Sequence, residues 1–180
     1  MTHSDKEIAK MLSHPDTVKK GFEMLVQQYS ETLYWKIRHF VLYHEDADDV
    51  LQNVLMKAWM NLNSFRGDAK VSTWLYRIAV NESLDFLRKQ KTTLLTADEQ
   101  QTVAARLMAD EYFDGDEAEA LLQEAVASLP DVQRMVFQMR YYDNMKYSEM
   151  SKLLDRSEGA LKSSYHIAVQ KVTAYIEGKH

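Results

Sequence analysis

Hydrophobic positions recur at steps of three and four along most of the chain, the interval that gathers them on one side of a helix. Val18, Phe22, Leu25, Tyr29, Leu33, Ile37 and Phe40 make the first such stripe and predict a helix over 16–43, with Asp16 as an acceptor at its start. The segment "HEDADDV" opens a second helix near Asp46, whose stripe is Ala47, Val50, Leu51, Val54, Leu55, Ala58 and Leu62. Carboxylates crowd its first turn, where the helix dipole favours negative charge. "NSFRGD" ends that helix, and Gly67 supplies the backbone freedom of a loop. A third helix follows with Ser72 or Thr73 as its cap, reaching about Lys89 and burying Leu75, Ile78, Ala79, Phe86 and Leu87.

Between Thr92 and Gly115 the periodicity fades and "ADEYFDGDEAEA" is acidic, which predicts a linker, helical in part. "EALLQEAVASL" then reads as a helix that stops at Leu129-Pro130, because a residue before proline is pushed out of helical geometry. "DVQRMVFQMRYYD" follows, with Asp131 as its cap. The remainder has the outline of a helix-turn-helix. Met150, Leu153 and Leu154 face inward from the first helix, Asp155-Arg156-Ser157 makes the turn, and Ser157 caps a second helix that buries Leu161, Tyr165, Ala168 and Val172. No stretch alternates like a strand. The expected fold is all-α: two small helical domains, 1–92 and 119–180, joined by an acidic linker over 93–118, the C-terminal domain carrying the helix-turn-helix.

Composition narrows the classes. The chain has 180 residues, 46% of them hydrophobic, with no cysteine, five glycines and two prolines. Disulfide, thiol-redox and thiolate-zinc chemistry are excluded. No apolar run approaches the roughly 18 residues of a membrane span, and "MTHSDKEIAKML" lacks the pattern of a secretion signal. A cytoplasmic protein with no membrane insertion is expected. Six histidines are scattered without His-Glu-x-x-His spacing, no glycine loop cradles phosphate, and the acidic "DADD" lacks the spacing and glycine of a calcium loop. Neither an enzyme nor a cofactor is expected, and no metal site.

Charge is distributed unevenly. The net charge is −5, yet residues 66–91 hold six Lys/Arg against three Asp/Glu, and 140–171 hold six against four. Residues 92–139 hold two against ten. Two mildly basic blocks thus flank an acidic middle, a pattern that speaks to partners.

In a helix-turn-helix the second helix enters the major groove N-terminus first, so Lys162, Ser163, Ser164 and His166, which lie off the buried stripe, would meet DNA. Helix pairs with short turns also serve as plain packing units. Arg156, Lys162 and Lys171 are the full cations near this helix, and Glu158 opposes them. Affinity for duplex comes largely from neutralised phosphates. A module so thin in charge needs something else to hold it near DNA.

The stretch "RGDAKVSTWLYRIAVNESLDFLRKQK" mixes Trp74, Tyr76 and Phe86 with Arg66, Lys70, Arg77, Arg88, Lys89 and Lys91. Taken singly, each ring is an ordinary core residue. Taken together, rings and cations suit single strands, whose unstacked bases lie on aromatic faces while cations follow the backbone. A flipped base also needs a small pocket, which the loop over 67–72 can form.

These residues carry a resemblance. "DADDVLQNVLMKAWMNLNSFRGDAKVSTWLYRIAVNESLDFLRK" resembles the polymerase-binding and promoter-melting segment of bacterial sigma factors of the extracytoplasmic-function (ECF) group. "SLPDVQRMVFQMRYYDNMKYSEMSKLLDRSEGALKSSYHIAVQKV" resembles the promoter-reading C-terminal domain of the same group. The two segments cover about half the chain in the family's order, and "FRGDAKVSTWLYRIAVN" is dense in family motif positions.

The resemblance implies a transcription initiation factor that binds core RNA polymerase, directs it to promoters and helps melt the minus-ten element. It places polymerase docking on Asp46, Asp48, Asp49, Gln52 and Asn53. It places minus-ten contacts on Arg66, Asp68, Lys70, Ser72, Trp74, Arg77, Asn81, Asp85 and Arg88. Duplex reading of the minus-thirty-five element maps onto Arg156, Ser157, Glu158, Lys162, Ser163, Ser164 and His166. The acidic linker would run in a basic polymerase channel, or serve as a plain solvated tether. The implied partners are core polymerase and promoter DNA, duplex and single-stranded; an anti-sigma factor is a further candidate.

Departures from the family pattern are visible too. Asn53 replaces a usual glutamate, Asp155 stands where the turn often has glycine, and Ser164, Ile167 and Val169 replace frequent basic positions. The alternative reading is an independent helix-turn-helix regulator that binds duplex operators as a dimer.

Overall fold

A computed structural model describes residues 2–94 and 101–179, with backbone alone for 91–94. Lys91 and the start of the expected linker, 93–100, therefore lie outside the described side chains. Among the described residues the regular structure is helical: α1 (Asp5–Leu12), α2 (Val18–Val41), α3 (His44–Met60), α4 (Val71–Leu94), α5 (Val103–Met108), α6 (Glu117–Ala127), α7 (Asp131–Phe137), α8 (Tyr147–Leu154) and α9 (Glu158–Glu177). The chain divides into two compact units, one of residues 1–41 with 45–83 and one of residues 42–44 with 84–180.

The first unit follows the predicted stripes. Leu25, Leu33, Ile37 and Phe40 of α2 are buried, as are Ala47, Val50, Val54 and Ala58 of α3 and Val71, Leu75, Ala79 and Val80 of α4. Leu51, Leu55 and Leu62, expected in the α3 stripe, are only half-buried. A short 3-10 turn, Leu62–Ser64, leads into the loop before α4. Helix α1 has no counterpart in the predicted elements, because eight residues offer too short a window for periodicity. Ser4 and Glu7 form a capping box around its start, with Ser4 Oγ accepting from the Glu7 N–H and the Glu7 carboxylate from the Ser4 N–H. Ile8 and Leu12 are buried. Gly21 lets α2 approach α1 closely, since a Cβ there would sit 2.8 Å from Met11 Cβ and 3.1 Å from the Leu12 backbone nitrogen.

Capping of α4 also departs from expectation. Ser72 and Thr73 lie inside the helix, because the Lys70 carbonyl already accepts the first helical bond, from Trp74 N–H, at 3.0 Å. The acceptor for the helix start comes from far away in sequence. Asp5 takes the Val71 N–H at 2.8 Å and the Ser72 N–H at 3.2 Å.

In the second unit the acidic connector contains a helix, α5, with Thr102 as its cap. Leu107 is buried with Ala120, flanked by Val103 and Phe113. Ala125, Val126, Leu129, Phe137, Ala168 and Val172 form the main core of α6, α7 and α9. The helix predicted from "DVQRMVFQMRYYD" is not uniform. It begins after Pro130, so Asp131 sits in its first turn. It then widens into a π-turn, Gln138–Tyr142. The extra residue in that turn accompanies a half-buried polar cluster: Tyr142 Oη donates to Glu119 Oε1 at 2.8 Å and accepts from Gln123 Nε2 at 2.9 Å. Burial and the Glu119 carboxylate push the Tyr142 phenol far up, so it stays protonated as a donor.

Candidate nucleic-acid interface

Three surfaces carry the expected site residues. The first is the loop before α4 with the exposed stripe of that helix. Arg66, Asp68 and Lys70 are exposed, and Gly67 takes φ +78, the left-handed region where a side chain is strained. Trp74 follows one turn into α4 and lies against Phe65 with ring centroids 5.1 Å apart, half-buried. Arg77, Asn81, Asp85 and Arg88 are exposed and spaced by four, four and three, so they continue from Trp74 along one side. Arg88 and Asp85 lie 3.6 Å apart on that side, an exposed pair that contributes little to stability. The structure thus brings eight of the nine minus-ten residues to one loop and one helix stripe. Ser72 is half-buried, with its N–H turned to Asp5.

Tyr76 separates from this set. It is buried in the first unit, near Phe40 and beneath Lys36 Nζ at 4.7 Å. Its ring is core and offers no platform for a base. Phe86 is half-buried. Of the three rings in the basic stretch, Trp74 is the one placed beside the loop.

The second surface is the outer side of α3. Asp49, Gln52 and Asn53 are exposed, while Asp46 and Asp48 are half-buried. The same stripe continues into Met56 and Met60, which are 60% and 73% exposed. Sequence reasoning missed both methionines. The signal was available, since "LMKAWM" puts apolar residues out of phase with the buried Ala47-Val50-Val54-Ala58 stripe. Trp59, half exposed, packs edge-on against Phe22 at 5.0 Å. Lys57 and Glu82 pair between α3 and α4.

The third surface is the helix pair α8–α9. Met150 and Leu161 are fully buried between them. Asp155 occupies the turn at φ +51 and so takes the left-handed conformation that glycine adopts without cost. Aspartate is among the few other residues that tolerate it, which explains why the missing glycine leaves the turn intact. Ser151 Oγ donates to the Arg156 carbonyl at 2.6 Å, and Ser157 Oγ accepts from the Ala160 N–H at 3.2 Å. Arg156, Glu158, Lys162, Ser163 and His166 are exposed, and Ser164 is half-buried. Tyr147 lies under two cations, Arg140 at 5.0 Å and Lys162 at 5.7 Å. Ile167 and Val169 are exposed at the positions where basic residues are missing.

A family model for sigma-70 region 2 matches residues 25–93, and one for sigma-70 region 4 matches residues 119–172. Together they span well over half the chain. The chain belongs to the sigma-70 family, in its ECF group. This ECF sigma factor is 29% identical over 163 residues to the ECF RNA polymerase sigma factor SigW of Bacillus subtilis, covering 83% of this chain and 87% of the relative. It is 26% identical over 179 residues to the RNA polymerase sigma-H factor of Pseudomonas aeruginosa, covering 88% and 86%. It is 29% identical over 155 residues to the ECF RNA polymerase sigma-E factor of Escherichia coli, covering 81% of each. Its fold is shared with CnrH, solved in complex with the cytosolic domain of CnrY, at TM-score 0.65 and 23% identity over 98% of this chain and 96% of that one. The sigma factor RpoE of Bartonella quintana, solved with the anti-sigma factor NepR, aligns at TM-score 0.65 and 21% identity over 88% and 98%. Among the described residues no helix is long and apolar enough to cross a membrane, and no group of three or more metal-ligating side chains forms.

Proposed function

We propose that this ECF sigma factor starts transcription through three separate surfaces, each bearing one step. The chain is a transcription initiation factor: it binds core RNA polymerase and directs it to promoters. The acidic start of α3, with Asp46, Asp48, Asp49, Gln52 and Asn53, docks on a cationic helical element of the core. Met56 and Met60 extend that contact, since exposed apolar side chains rimmed by polar ones mark an interaction site. The loop Arg66–Lys70, Trp74 and the Arg77-Asn81-Asp85-Arg88 stripe capture the unpaired minus-ten strand. Helix α9 reads the minus-thirty-five duplex with Arg156, Ser157, Glu158, Lys162, Ser163, Ser164 and His166. Residues 1–92 act as the docking and melting domain, 119–180 as the duplex reader, and 93–118 as the acidic connector that enters a basic channel of the polymerase.

The observation that carries this reading is the junction of loop and stripe. A left-handed glycine, two flanking cations and a tryptophan stand at the head of a helix whose exposed side continues in polar and charged residues. Such a surface suits an extended strand with an extruded base. Strand opening draws on binding energy, so the factor needs no catalytic residues, and it works in the cytoplasm, where it meets core polymerase. An anti-sigma factor is a natural partner, as the RpoE structure holds one, NepR, in complex with that protein.

The operator-binding reading has a weaker basis, because α9 offers few cations. Polymerase tethering removes that difficulty by raising effective concentration. Mixing the protein with core polymerase and a promoter library, then sequencing the RNA starts, tests the proposal. Defined starts that vanish without the protein support it, and identical starts with and without it contradict it.

A further inference from the structure

We infer that Asp5 is a positioning residue for strand capture: its carboxylate, held by α1, fixes the first turn of α4 and with it the loop that takes the minus-ten strand. The inference rests on the proposed function and concerns a residue outside the expected docking and DNA-binding sets.

Helix α4 begins under an unusual constraint. Lys70 precedes its first residue and carries a cation with no acceptor to offer the free N–H groups of the first turn. Val71, which follows, is fully buried, so water cannot readily replace a partner for its amide. Asp5 fills the role from a distance, with Oδ2 accepting the Val71 N–H at 2.8 Å and Oδ1 the Ser72 N–H at 3.2 Å. A carboxylate at a helix start also complements the dipole. Tyr29 Oη donates to Asp5 Oδ1 at 2.7 Å and locks the carboxylate in place.

Several further contacts aim Asp5. The Ser4–Glu7 capping box orders the helix that carries it, the His3 N–H donates to Gln28 Oε1 at 2.8 Å, and Gly21 seats α1 closely on α2. Helix α1 and its seat on α2 thus hold the anchor point. The backbone it holds lies immediately after Arg66, Gly67, Asp68 and Lys70, and one turn before Trp74. A loop tethered at that point keeps its strand-binding groups preorganised, and a free one must be ordered at each opening.

The test uses holoenzyme made with core polymerase and promoter DNA carrying 2-aminopurine in the minus-ten non-template strand, whose fluorescence rises on unstacking. Wild type, Asp5→Ala, Asp5→Asn and Tyr29→Phe are compared, with co-elution on core as the docking control. Asp5→Ala is expected to slow the rise at least tenfold while co-elution persists. Asp5→Asn, which keeps one acceptor oxygen, is expected to fall between the two, and Tyr29→Phe to slow the rise less. In the free protein, hydrogen exchange at Val71 and Ser72 should quicken in Asp5→Ala while α3 amides keep their protection, a pattern that general destabilisation does not give. A wild-type rate in both Asp5 variants overturns the role of Asp5, as does equal loss of protection throughout α2, α3 and α4. Should Asp5→Ala fail to fold, Asp5→Asn alone decides by the same rates. No rise with the wild-type holoenzyme contradicts the proposed function itself and takes the inference with it.

Discussion

Tyr175, near the end of α9, donates its hydroxyl to Glu124 of α6 at 2.7 Å. Glu124 is buried and also accepts the Ala104 N–H at 2.8 Å and lies 3.3 Å from Lys179 Nζ. One carboxylate therefore joins the connector helix α5, the core helix α6 and the chain's last turn. Burial pushes its pKa up, but the Ala104 N–H, the Tyr175 hydroxyl and Lys179 together outweigh burial and hold it below the usual range. Burial and the same hydrogen bond push the Tyr175 phenol up to about 12.

The sign of the pH dependence follows from these two shifts. A depressed carboxylate contributes stability above its unfolded pKa that disappears as pH falls through the folded one. A raised phenol contributes stability that is complete below about 10 and disappears as pH rises through about 12. Glu124→Gln should therefore destabilise the C-terminal unit by about 1–3 kcal/mol at neutral pH and flatten the acid limb of its stability curve. Tyr175→Phe should flatten the alkaline limb. Urea midpoints across pH check both, and unchanged limbs would contradict the assignment.

Gly21→Ala should destabilise the first unit. Its Cβ would meet Met11 Cβ and the Leu12 backbone, and a backbone contact cannot swing aside. Overpacking of this kind costs about 1–3 kcal/mol. A lowered urea midpoint is the expected result, and an unchanged one would mean that α1 seats differently.

The turn of the helix pair gives a prediction of opposite sign. Asp155 holds φ +51, where a side chain costs about 1–2 kcal/mol relative to glycine, and the added freedom of glycine in the unfolded chain offsets roughly 0.5–1 kcal/mol of that relief. Asp155→Gly should raise stability by up to about 1.5 kcal/mol, read as a higher urea midpoint at constant slope.

Docking on α3 is tested by charge and by surface. Asp48→Lys with Asp49→Lys should abolish co-elution with core polymerase while the circular dichroism spectrum stays helical. Met56→Asp should weaken co-elution as well, because its side chain is exposed and its loss leaves no cavity. Persistent co-elution in both would move the docking surface elsewhere.

Much of this was legible in the sequence because long amphipathic helices announce themselves. Helices α2, α3 and α4 and the Ser157 cap sit where spacing puts them, and the buried faces agree in part. What escaped was either short or long-range. Helix α1 is eight residues long, and the partnership of Asp5 with Val71 spans 66 positions, so no local window contains both. Tyr76 illustrates a different limit: a ring in a basic stretch looks like a base platform until the helix phase turns it into the core. The π-turn at Gln138–Tyr142 ends on Tyr142, whose hydroxyl meets Glu119 and Gln123 of another helix, and nothing within "FQMRYYD" encodes those partners.

Free protein on duplex promoter DNA should bind weakly. With two or three phosphates neutralised by α9, log affinity should fall with log salt at a slope of about −2 to −3. Tight binding to an isolated duplex would instead favour an operator-binding regulator.

The most direct measurement is run-off transcription from one mapped start with core polymerase alone, with core plus the protein, and with core plus Trp74→Ala and Arg77→Ala together. Initiation that depends on the wild-type protein and drops at least tenfold with the double variant, while co-elution with core is retained, is the predicted result. Equal initiation in all three reactions would contradict the account.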